Sequence, residues 1–307
     1  MKPIVLLDGG MGMELLHRSD NKTPTNWSAQ YLMDEPDLVK QVHGEYIDAG
    51  ASVITINAYS ATFTRLSRVN NEDRVPELQR LACELAIASR DAAGDAGADV
   101  KIAGCLPPLN GSYRPDRVMP YDQILDEYQR LVEFQAPYVD VIICETMSSA
   151  IEAKATATAA AASGKPVWVG VTLAENASNK LRSGESIADV MSALESVEVN
   201  AIVANCAPPE SVRAAMPDLV ATGLPTGGYA NAFTPIPVDY MPGQTLYQLG
   251  ARRDLDGASY AAFAMDWIDN GAEIVGGCCE VGVDHIRHLH ESIVASGRDI
   301  VGLPAAA

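Results

Sequence analysis

The sequence predicts an α/β fold, a (β/α)8 TIM barrel, and three observations lead there. Eight short β-branched runs alternate with eight longer, alanine-rich amphipathic segments. The runs are apolar nearly throughout, as parallel strands covered on both faces are. No linker, low-complexity tract or charge block divides the chain, so one barrel domain is expected over residues 1–307. A doubly wound open sheet shares the local pattern and is the competing architecture.

Taken in order, strands are expected at 4–8, 52–57, 101–105, 139–145, 167–172, 201–206, 225–230 and 273–278. Helices are expected between them at 37–49, 72–93, 121–136, 149–163, 186–196, 210–221, 258–270 and 284–296. Their apolar residues recur at three- and four-residue spacing, as in Leu125, Tyr128 and Val132. Gly50, Gly164, Gly223, Gly271 and Gly297 each follow a helical segment and fit C-caps. The longest irregular stretches, 17–36 and 233–257, are expected at or near the catalytic face of the barrel.

Composition narrows the function. With 40 Asp and Glu against 22 Lys and Arg, the formal charge is −18. Such a surface repels phosphate backbones and anionic membranes, which argues against nucleic-acid and membrane partners. The opening apolar run, Ile4 to Leu7, is too short for a signal peptide, and no stretch approaches the ~20 apolar residues of a membrane span. A cytoplasmic location is expected, with the six cysteines reduced and serving as core fillers, metal ligands or nucleophiles. Phosphate-cradling motifs are absent, so no nucleotide cofactor is expected.

The sharpest signal is where three cysteines fall. Cys206 ends the sixth expected strand; Cys278 and Cys279 end the eighth, after Gly276-Gly277. C-terminal strand ends converge on one mouth of a parallel barrel, so these three sulfurs can meet. Vicinal cysteines are poor disulfide partners, whereas three thiolates with an open fourth position form a reasonable catalytic zinc shell. The competing reading is three small buried hydrophobes. The glycine pair favours function, because it lets backbone approach a ligand closely. Cys83, Cys105 and Cys144 read as core fillers. His285, His288 and His290 crowd the last helix, but no acid or cysteine completes a ligand spacing, so they read as solvated or core-satisfied.

Gly276-Gly277-Cys278-Cys279, with Asn205-Cys206 upstream, resembles the homocysteine S-methyltransferase family, which includes S-methylmethionine- and betaine-dependent enzymes and the homocysteine module of methionine synthase. The resemblance runs along nearly the whole chain: Asp8-Gly9-Gly10-Met11-Gly12 at the first strand, Asn57-Ala58-Tyr59 at the second, Ser112-Tyr113-Arg114-Pro115 after the third and Cys144-Glu145-Thr146 at the fourth. It implies zinc held by Cys206, Cys278 and Cys279. It implies methyl transfer from an onium donor (S-methylmethionine, S-adenosylmethionine or betaine type) to homocysteine thiolate, giving methionine. It further implies that Asp8 and Glu145 bind the substrate amino group and that backbone around Gly9 receives its carboxylate, with Asn57 lining the same cavity.

Each role has a plainer rival: a turn-forming Asp for Asp8, a salt-bridged rim residue for Glu145. Trp27, Tyr59 and Tyr113 are candidates for holding a cationic donor on their faces, or packing residues. Asn231, after the seventh strand, reads as a metal-shell contact or an Asx turn. Two departures from the family pattern, the Gly104-Cys105-Leu106-Pro107-Pro108 turn and Glu280 after the cysteine pair, leave the donor and the acceptor thiol open, a selenol included. The alternatives are a module served by a separate corrinoid protein, a non-catalytic zinc-binding barrel, and an unrelated barrel lyase with incidental cysteines.

Overall fold

The computed structural model describes residues 1–236 and 249–304. Its eight strands are β1 (Val5–Leu6), β2 (Val53–Thr55), β3 (Lys101–Leu106), β4 (Val141–Met147), β5 (Val167–Val171), β6 (Ala201–Asn205), β7 (Thr226–Ala230) and β8 (Ile274–Gly277). All pair in parallel with their sequence neighbours, and β1 pairs with β8. Closure comes between β1 and β2, where the Ser52 N–H donates to Leu6 (2.8 Å) and the Asp8 N–H to Val53 (3.0 Å). An open sheet is ruled out, and every expected strand is present.

Side chains alternate along each strand between two environments. One set, including Val5, Val53, Ala103, Val141, Trp168, Val203 and Ile274, fills the barrel interior as a closed layer with Trp168 at 1% exposure. The other, including Leu6, Ile54, Ile142, Val169 and Ile202, packs under the helices. With the interior plugged, the barrel axis is accessible to a ligand at the C-terminal mouth.

The helices are α1 (Met11–Arg18), α2 (Ser28–Asp34), α3 (Pro36–Asp48), α4 (Phe63–Leu66), α5 (Val75–Ala92), α6 (Tyr121–Gln135), α7 (Ala150–Ala161), α8 (Ile187–Leu194), α9 (Pro209–Val220), α10 (Gly257–Asp269) and α11 (Val283–Ala295). Eight match the expected segments. The expected helix at 72–93 starts as a 3-10 turn, and α5 begins where Pro76 suits a first turn. The five closing glycines all have positive φ, Gly50 at 97° and Gly271 at 109° among them.

Two expectations need correction. The stretch 17–36 is not irregular: it begins inside α1 and contains α2. Glycines at 9, 10 and 12 disfavour a helix there, but burial of Met11, Met13, Leu15 and Leu16 outweighs local propensity. In the stretch 233–257, residues 237–248 lie outside the described residues, and α10 begins at Gly257. Among the described residues no helix is long and apolar enough to cross a membrane.

Candidate active site

Backbone bonds draw the three cysteines together at the mouth. Cys206 follows β6 with φ of 47°, and its N–H donates to Tyr229 of β7 (3.1 Å). Cys278 follows β8 and its N–H donates to Ala230 (2.9 Å), while the Cys279 carbonyl accepts from Ala232 (2.9 Å). The opening turn packs on this loop so closely that a Cβ on Gly10 would lie 2.5 Å from the Cys278 carbonyl oxygen. Gly276 and Gly277 serve a further end beside the one expected. Cβ atoms there would strike Leu7 and Val281, so the pair admits neighbouring protein, while Gly277 also lines the cavity beside the cysteines.

The Cys206 sulfur lies 2.7 Å from that of Cys278 and 3.9 Å from that of Cys279. Among the described residues this is the one group of three or more potential ligands close enough to hold a metal ion. Burial opposes ionisation of Cys206, yet hydrogen bonds from Cys278, Cys279 and Tyr113 outweigh it and hold its thiol well below the ordinary range. Its two neighbours are pushed the other way, Cys278 chiefly by Cys206 and Cys279 likewise. One proton is thus shed most easily from Cys206. An apolar cap of Met13, Leu16, Tyr113, Phe233, Ile236 and Leu249 covers the sulfurs.

A cavity of about 100 Å³ opens beside them. Asp8, Gly9, Trp27, Asn57, Tyr59, Tyr113, Glu145, Cys206, Cys278 and Cys279 all line it, so the substrate, donor and metal candidates other than Asn231 meet in one place. The Asp8 carboxylate accepts from the Thr55 N–H (2.8 Å), and burial raises it to about 8, assisted by Glu145. Glu145 is also raised by burial, to about 7, while accepting from Cys105 (3.1 Å) and Tyr229 (3.2 Å). A register shift in β4 between Cys144 and Met147, with Thr146 at φ 61°, aims Glu145 inward. Asn205 braces the same bend: its side-chain oxygen accepts from the Thr146 N–H (2.8 Å) and its amide donates to the Thr146 hydroxyl (3.0 Å).

With this geometry, comparison with known proteins is decisive. A family model described as homocysteine S-methyltransferase matches residues 5–293. The chain belongs to the homocysteine S-methyltransferase family. Homocysteine S-methyltransferase YbgG of Bacillus subtilis is 28% identical over 94% of this chain and 93% of its own length. A selenocysteine methyltransferase of Astragalus bisulcatus is 27% identical over 95% and 93%. The crystal structure of the homocysteine methyltransferase MmuM of Escherichia coli, in its metallated form, superposes with a TM-score of 0.79 at 26% identity, covering 95% of this chain and 96% of that one.

Within this barrel, Cys105 departs from the core-filler reading. It lines the cavity and its thiol bonds Glu145, because its position in β3 faces the mouth. Cys83 and Cys144 are buried away from the cavity lining. Tyr229 is a lining residue that sequence reasoning missed, although its place next to the end of β7 marks it as mouth-facing. Asn231 forms an Asx turn, its oxygen accepting from the Phe233 N–H (3.2 Å), and its buried amide nitrogen has no partner. His285 is satisfied by the Gly282 N–H and the Leu255 carbonyl, and His288 by the Asp284 carbonyl. Glu280 turns to His17 (3.1 Å) and is absent from the cavity lining. Of the aromatic candidates, Tyr59 carries Arg65 over its ring at 5.1 Å and Tyr113 carries Arg182 at 4.7 Å, whereas Trp27 packs on Gly12.

Proposed function

We propose that this chain transfers a methyl group from an onium donor to the thiol of homocysteine, yielding methionine, with one zinc ion held by Cys206, Cys278 and Cys279. The observation that carries the reading is the meeting of three sulfurs with two buried carboxyls around one cavity. The donor set fits zinc. A tetrahedral ion with ~2.3 Å bonds spaces its sulfurs about 3.8 Å apart. Cys206 and Cys279 stand at 3.9 Å, and the 2.7 Å between Cys206 and Cys278 has to open by about 1 Å.

Bound zinc supplies Lewis acidity that keeps an acceptor thiol deprotonated at neutral pH. Asp8 and Glu145 take the substrate ammonium. That charge favours ionisation of both acids, whose burial otherwise holds their protons. Backbone around Gly9 receives the carboxylate, and Asn57 and Tyr59 close the wall. The acceptor sulfur, as thiolate, forms a bond to the donor methyl carbon while the carbon–onium bond breaks and a neutral thioether or amine leaves. The apolar cap excludes water, and alignment carries most of the acceleration.

The test is direct. Zinc-replete protein is incubated with homocysteine and S-methylmethionine, S-adenosylmethionine or betaine, and methionine is measured. No product with any donor sinks the reading. The selenocysteine methyltransferase relative favours a second acceptor of the same geometry, so selenocysteine belongs in the same panel.

A further inference from the structure

Tyr113 is 4% exposed, and its hydroxyl lies 2.9 Å from the Cys206 sulfur. It reaches that place from the loop after β3 with φ of 67°, facing a cysteine at 47°; neither is glycine, and both conformations crowd a Cβ. Above the ring sits Arg182, only 7% exposed, with its guanidinium 4.7 Å from the centroid and paired to Glu175. The loop after β3 thus sets a hydroxyl against one ligand sulfur, and the loop after β5 sets an arginine over that hydroxyl's ring.

We propose that Tyr113 is a positioning residue of the metal site: it donates its hydroxyl hydrogen to the Cys206 sulfur and limits how much charge that ligand passes to the metal. The proposal rests on the three-cysteine reading above. A metal-bound cysteine is a thiolate and carries no hydrogen, so in this pair the phenol is the donor. Partners of this kind orient ligands and tune the ion. Arg182 holds the ring in place, and its positive charge over the π-face draws electron density from the hydroxyl, strengthening it as a donor. Tyr113 therefore does more than form the aromatic wall expected for a donor cation.

Cobalt-loaded full-length protein supplies the test, because thiolate-to-cobalt charge-transfer bands report the charge on sulfur independently of turnover. Tyr113→Phe keeps the ring and its arginine and removes one hydrogen bond. The bands should move to lower energy, and metal retention against a chelator should fall on the order of tenfold. Arg182→Met should shift the bands in the same direction by less, and it carries the test if Tyr113→Phe does not fold. Bands and retention equal to the parent's in the variant measured would overturn the proposal. A parent protein without thiolate-to-cobalt bands would instead overturn the three-cysteine reading beneath it.

Discussion

The thiol of Cys105 donates a hydrogen bond to the Glu145 carboxylate across 3.1 Å, joining the mouth-facing ends of β3 and β4. This bond leaves the carboxylate aimed into the cavity, where Tyr229 holds its other oxygen. Cys105→Ala should therefore raise the KM for homocysteine several-fold with little change in zinc content. Cys144→Ala, one residue from Glu145 but absent from the cavity lining, should cost stability, on the order of 1 kcal/mol or more, and leave KM near the parent value. Equal KM effects from the two variants would assign Cys105 to packing alone.

Glu145→Gln separates charge from shape. It should weaken homocysteine binding by about tenfold, since one ion-paired carboxylate is lost from a buried site, and leave zinc content unchanged. Isothermal titration beside metal analysis reads both. Unaltered affinity would give the carboxylate a structural role only.

The same substitution should move stability in the opposite sense. Burial raises Glu145 to about 7, above its unfolded value, so its contribution to folding is fully present at low pH and is lost as pH rises through about 7. Metal-free, ligand-free Glu145→Gln should then melt above the parent at pH 8, by about 1 kcal/mol or more, and near it at pH 5. A parent that melts higher at both pH values would contradict the burial argument.

Metal removal tests the separation of core and mouth. Chelation should abolish methyl transfer while far-UV circular dichroism stays unchanged, because the interior layer around Trp168 is filled by apolar side chains and only Cys278 of the three cysteines packs against it. Cys206→Ala, Cys278→Ala or Cys279→Ala should each lower zinc retention and activity; full activity in Cys278→Ala would sink the mechanism. The parent should bind about one zinc per chain.

Strand positions were legible because parallel strands buried on both faces need unbroken apolar runs, and Cys206, Cys278 and Glu145 inherit their places from the ends of those runs. The site's acids and sulfurs were found by the same rule. Cys105 was misread because a cysteine inside an apolar run looks alike whether it faces the helices or the mouth; its register with Ile143 of β4 decides. Helix α1 escaped for a different reason. Its glycines at 10 and 12 are demanded by contacts with Cys278 and Trp27, far away in sequence or across a loop, which local propensity cannot register. Gly276 carries the opposite lesson, as its neighbour is Leu7 and it is absent from the cavity lining.

Asn205 offers the last prediction. It is fully buried, precedes Cys206, and its two bonds to Thr146 fix the end of β6 against the bend in β4 that carries Glu145. Asn205→Ala removes both bonds and leaves the Thr146 N–H and hydroxyl without those partners in a buried setting. The expected cost is about 2–3 kcal/mol in denaturant unfolding. Because the brace spans a metal-ligand strand and a substrate-binding strand, zinc retention and homocysteine affinity should fall together. Thr146→Val removes only the hydroxyl and keeps the N–H bond, so it should show the same paired losses at roughly half the size. A stability loss in Asn205→Ala with zinc and homocysteine binding both intact would reduce the brace to packing and detach it from the site.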